Sequence, residues 1–139
     1  MRLQTTDGAT FAKRVFLLAA IYGIIALAPQ YFLESTLNEQ FPPPITHPEH
    51  FYGFTGTALA WQFVFLLISR DVVRYRPLML IGVLEKLAFG LPAIILFAQA
   101  RLSGVVLFFG LVDLVLGVLF VAAFRATADL DSPTRTSTR

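Results

Sequence analysis

Four stretches of the chain, 15–33, 51–69, 77–98 and 102–124, are apolar almost without interruption and show no alternation of polar and apolar positions. A helix needs about 20 such residues to cross a hydrocarbon core of roughly 30 Å, whereas a barrel strand needs about 10 and alternates. A helix also satisfies its own backbone hydrogen bonds, which lipid cannot do for it. The pattern therefore predicts an all-α fold, an integral membrane four-helix bundle. Residues 1–14 form an N-terminal segment before it, and 125–139 form a polar tail after it that ends in a run of Ser, Thr and Arg.

The connections are uneven. Residues 34–50 are polar and contain Pro42-Pro43-Pro44 and Pro48. Proline removes backbone donors and favours extended chain, so this stretch is predicted as the one sizeable loop. The third and fourth runs are separated by a few residues around Arg101, which makes them a tight antiparallel hairpin. The first run also imitates a secretory signal, with Lys13 and Arg14 before it and Ala26-Leu27-Ala28 near its end, but Pro29 follows at once and opposes cleavage.

Composition agrees with a bilayer as solvent. The chain has 139 residues, 56% of them hydrophobic and 14% charged, and a mean hydropathy of +0.69. There is no cysteine, so disulfides, thiolate metal sites, cysteine nucleophiles and cysteine lipidation are excluded. The formal charge is +2, yet the basic residues flank apolar runs rather than forming a patch, and no nucleic-acid partner is expected. Arg2, Lys13 and Arg14 precede the first run, Arg70, Arg74 and Arg76 join the second to the third, and Arg125, Arg135 and Arg139 follow the fourth. The 34–50 stretch has Glu34, Glu39 and Glu49 but neither Lys nor Arg. The positive-inside rule then places both termini in the cytoplasm.

The candidate chemistry lies inside the membrane. Lys86 stands nine residues beyond Pro77, and Asp113 nine beyond Gly104 on a helix running the other way. At 1.5 Å per residue both reach roughly 13 Å and meet near the midplane, with Glu85 beside them. An isolated charge there costs about 2.5 to 3.5 kcal/mol, so Lys86 is expected to pair with Asp113 or Glu85. Gly82, Lys86 and Gly90 share one face, as do Gly110, Asp113 and Gly117, which allows the backbones to approach closely. Counting depth the same way adds Gln62, Trp61 and Tyr22 to this polar layer. Two carboxylates against one ammonium leave it a formal charge of −1 when all are ionised.

His47 and His50 flank Glu49 in the loop and are weak candidates for a metal, with Glu39 as a further ligand; the reading favoured is a solvated loop without metal. The 70–76 stretch holds the topology and offers a surface to anionic membrane lipids. Phosphate-binding glycine loops, zinc-protease and nucleophile-elbow patterns are absent, which leaves catalysis without a motif.

The residues Phe51-Tyr52-Gly53-Phe54, Ala60-Trp61-Gln62, Arg74-Tyr75-Arg76-Pro77-Leu78-Met79 and Leu84-Glu85-Lys86 resemble uncharacterised bacterial four-helix membrane proteins, broadly DoxX-like. The resemblance covers about the last three helices. It implies a four-helix bundle in the bacterial inner membrane, with some relatives linked to quinone or thiosulfate redox chemistry. Without cysteine, that chemistry transfers to no named residue here. A weaker likeness is to emopamil-binding-protein-like sterol isomerases, from which no site residue carries over.

These observations lead first to a noncatalytic accessory subunit of a larger membrane complex, or a homo-oligomer, clamped by Glu85, Lys86 and Asp113. The second expectation is a pocket for a quinone-like or lipid-like molecule, with Trp61, Gln62 and Asp113 on its wall. A small proton-coupled transporter ranks last, because small multidrug exporters carry a glutamate in the first helix and this chain has none there.

Overall fold

The computed structural model describes residues 2–131, and all its regular structure is helical. Five α-helices follow one another: α1 (Arg2–Leu27), α2 (Glu34–Gln40), α3 (Pro48–Arg70), α4 (Arg76–Ala98) and α5 (Gly104–Ala126). Short 3-10 turns at Ala28–Phe32 and Ala128–Asp131 complete the chain. α1 with the turn that continues it, α3, α4, and α5 with the residues that follow are long and apolar enough to cross a membrane. The Ser132–Arg139 part of the polar tail, with Arg135 and Arg139, lies outside the described residues.

Packing is closest between α4 and α5, then between α1 and α3 and between α1 and α5, while α3 and α4 make a much smaller contact. The first contact follows from side-chain size. Ala93 and Gly90 of α4 meet Gly110 of α5, where a β-carbon on Gly110 would lie 2.6 Å from that of Ala93. Such small faces are how helices associate in lipid, where packing replaces the hydrophobic effect as the driving force. α1 presents Ala12, Val15, Phe16, Ala19, Ala20 and Gly23 as one buried stripe at helical spacing.

The arginine-rich connections gather at one end. Gly8 of α1 lies against the Ala126 backbone of α5, and Arg76 at the start of α4 donates to Phe124 O at 3.1 Å, its guanidinium 3.8 Å above that ring. Asp71 shapes the α3–α4 turn by accepting from the Arg74 backbone N–H at 3.0 Å. At the other end, Ala100 takes φ 56° in the α4–α5 turn, with Arg101 N bonded to Leu96 O and Ala100 N to Phe97 O, both at 2.9 Å. This pair of bonds absorbs carbonyls that α4 would otherwise leave unpaired. Ser103 then caps α5 by accepting from Val106 N at 3.4 Å.

Three boundaries differ from the expectations. The first helix begins at Arg2 rather than residue 15, because Gly8 and Ala12 give its early turns a small face that packs on α5. It ends at Leu27, and Pro29 enters the 3-10 turn instead of continuing the helix to residue 33. The 34–50 stretch is no simple loop. Glu34 places a carboxylate in the first turn of α2, where the helix dipole favours it, and α2 runs seven residues before Phe41 and the prolines end it. α3 starts at Pro48, since a proline in the first turn has no N–H to lose there.

Candidate functional site

Lys86 lies on the α4 face that meets α5, where a β-carbon added at Gly117 would stand 3.5 Å from its own, an ordinary contact. Its ammonium stands 3.1 Å from Asp113 Oδ1 across the helix pair and 3.1 Å from Glu85 Oε2 on its own helix. On its other side it faces the Phe65 ring, 5.2 Å from the centroid. The level at which antiparallel α4 and α5 bring their charges together is the level obtained by counting residues from each helix start. The two ion pairs are equal in length, and Glu85 Oε2 sits outside hydrogen-bond geometry with the ammonium.

Gln62 of α3 is buried opposite this cluster. Its Nε2 donates to Ala58 O at 2.8 Å, one turn back on the same helix, and its Oε1 has no partner. The side chain occupies the space a β-carbon would take at Gly23, so the glycine on α1 is what lets the amide in. A buried amide oxygen left without a donor carries a cost of about 1 to 3 kcal/mol.

Above the cluster, on the side of the bundle away from the arginines, the helices border a partly open cavity of about 500 Å³. Glu85, Lys86, Asp113, Gln62 and Tyr22 form its floor. Its walls are Phe51 and Phe54 from α3, Phe89 from α4, and Val105, Val106 and Phe109 from α5. Leu33, Leu37 and Phe41 cover it from the turn after α1, from α2 and from the chain just beyond. α2 is tied in this position by Tyr52, which donates to Glu34 Oε2 at 2.6 Å, and by Asn38 Oδ1, which accepts from Ile45 N at 2.6 Å. Gln30 is occupied elsewhere, donating to Ala26 O and accepting from Thr55 Oγ1.

Of the residues expected in a polar layer, Glu85, Lys86, Asp113, Gln62 and Tyr22 share the cavity, whereas Trp61 does not line it. Trp61 packs against the apolar core with its ring 6.1 Å from that of Phe65. One residue along a helix is a rotation of about 100°, so Trp61 cannot share the face of its neighbour Gln62. What depth counting missed is the upper half of the cavity, built by α2 and the rings at the helix ends.

His47, Glu49 and His50 also come together, at the start of α3. Their donor atoms lie within 4.8 Å of one another and all three residues are exposed. Glu49 Oε1 sits 3.2 Å from His47 Nδ1 and 3.6 Å from His50 Nδ1. Glu39 is not part of this group. The His47–Glu49 contact is an exposed hydrogen bond, and the His50–Glu49 contact is longer than one.

Comparison of the chain with protein-family models, with curated proteins and with solved structures finds no match. The DoxX-like resemblance therefore rests only on the residues quoted for it.

Proposed function

We propose that this protein binds an amphipathic organic molecule within the membrane, with an apolar body among the Phe rings and a polar head at the Glu85, Lys86 and Asp113 floor. The observation that carries this reading is the convergence of a charged cluster and an apolar chamber in one cavity of about 500 Å³. Ligand sites combine an apolar lining with a few convergent polar groups, and this volume lies within their usual range. A lipid-like or quinone-like molecule has the required shape.

The clamp reading keeps one observation of its own. Lys86 joins α4 to α5 beside the glycines of their closest contact, so the cluster also fastens the bundle. An accessory subunit or a homo-oligomer would use it in that way alone. In either case we place the arginine-bearing end and both termini in the cytoplasm, in a bacterial inner membrane, from the distribution of Lys and Arg and the DoxX-like resemblance.

Mass spectrometry of protein released gently from membranes tests the binding reading. The expected result is a stoichiometric amphipathic molecule that is lost when Ala58→Phe fills the chamber. Retention of the same bulk lipids by both proteins, at equal levels, would leave the clamp alone standing.

A further inference from the structure

We infer that the head group this cavity selects is a protonated amine, so that its ligand is a monocationic amphiphile. This deepens the binding reading above and rests on it.

The argument begins from an inventory of hydrogen-bonding groups at the floor. Glu85 and Asp113 present carboxylates, whereas the Gln62 amide oxygen is turned against Gly23 of α1. Glu85 Oε2 is ion-paired with Lys86 at 3.1 Å, outside hydrogen-bond geometry. On the donor side, the Lys86 ammonium is directed at the two carboxylates and the Phe65 ring, and Gln62 Nε2 is used on Ala58 O. Tyr22 can give one hydroxyl hydrogen. The floor is thus rich in acceptors and poor in donors.

Charge leads to the same conclusion. With Lys86 between Glu85 and Asp113 the cluster has a formal charge of −1 when all three are ionised, within the span of α4 and α5 where uncompensated charge is costly. A ligand bringing one positive charge and two or three N–H donors corrects both imbalances. A quinone or ketone carbonyl is an acceptor only and would face carboxylate oxygens. A carboxylate or phosphate head would add to the negative charge. A small hydrated metal cation would leave the apolar chamber unmatched, whereas an amine on an aromatic body places its rings among Phe54, Phe89 and Phe109.

The test compares three near-isosteric probes, naphthylethylamine, naphthylethanol and naphthylacetate, binding to the full-length protein in lipid nanodiscs, with protein-free nanodiscs as the partition control. Calorimetry is expected to rank the amine at least about tenfold tighter than the alcohol, with the carboxylate weakest. Glu85→Gln brings the formal charge of the floor to zero while keeping the Lys86–Asp113 pair between α4 and α5. It should bring the amine-to-alcohol ratio within about threefold. If Glu85→Gln does not fold, the wild-type series decides by itself. Equal affinity for amine and alcohol, or preference for the carboxylate, overturns the cation assignment and leaves amphiphile binding in place. Absence of binding by all three to protein that melts cooperatively overturns both.

Discussion

Below the Lys86 level, toward the arginine-bearing end, the long helices close on one another; above it, toward α2, α4 and α5 stay in contact while α3 stands apart from α4 around a chamber. Both halves use phenylalanine as their main bulky residue. In the closed half, Phe16 stacks on Phe120 at 4.2 Å, and Phe65 meets Phe120 edge-on at 5.0 Å. These rings are fully buried with Met79 and Ile68, and the alanine stripe of α1 lets the helices in around them. In the open half, Phe54 and Phe89 meet at 5.6 Å, but with Phe51 and Phe109 they surround a space instead of filling it. The difference lies in backbone approach. Small residues draw α5 to α4 along their length, and α1 draws in α3, but nothing comparable draws α3 to α4. Close packing is a property of how near the helix axes come, and residue type alone does not settle it.

The sharpest way to break this comparison is to remove a ring from each half. Phe120→Ala deletes contacts with Phe16, Phe65 and Gly82 and leaves a hole among buried groups. It should cost about 3 to 5 kcal/mol. Phe109→Ala removes a wall that already borders open space and is 39% exposed, and should cost about 1 kcal/mol or less. Unfolding of the solubilised protein by titrated denaturing detergent measures both. Equal losses would mean that the chamber is as tightly packed as the lower half.

The second effect concerns the boundary between the halves. Lys86→Met keeps the length of the side chain and leaves Glu85 and Asp113 in place without their ammonium. Removing one partner of a buried charge pair typically costs about 3 kcal/mol or somewhat more, because the remaining charge is stranded. The same titration reads this, and a melt unchanged from wild type would show that the cluster does not fasten α4 to α5.

How far this arrangement was legible in the sequence depends on which coordinate is asked for. Depth along each helix follows from a constant rise, so counting from Pro77 and from Gly104 brought Lys86 and Asp113 to one level. The glycines spaced three and four apart around them marked the faces that meet. Azimuth was harder. Trp61 and Gln62 have nearly the same depth but different faces, and only the inward burial of Gln62 separates them. α2 was hidden because seven residues with Leu37 alone apolar, before a proline run, carry no apolar stripe, and its place is held by Tyr52 and Glu34, far apart in sequence. The early turns of α1 were signalled only by Gly8, Ala9 and Ala12, too faint a stripe among polar neighbours. The chamber left no signature, since a space between helices follows from where the backbones diverge.

The smallest expected effect sharpens the comparison furthest, because it asks the open half to accept atoms. Ala58 lines the chamber one turn before Gln62, and its carbonyl, which accepts from Gln62 Nε2, is unaffected by a change of side chain. Ala58→Phe adds a ring to a chamber of about 500 Å³, where a rotamer pointing inward meets other rings without displacing backbone. Overpacking of a filled core costs about 1 to 3 kcal/mol or more, whereas here the change should stay within about 1 kcal/mol of wild type. A matched Ala20→Phe, at a fully buried position of α1 in the closed half, supplies the contrast and should suffer the full penalty. If both variants unfold at the same detergent fraction as wild type, or both collapse together, the division into a filled and an unfilled half is wrong. If only Ala20→Phe is damaged, the space above Lys86 is real room in the folded protein, and its loss in Ala58→Phe can be attributed to occupancy when ligand retention is measured.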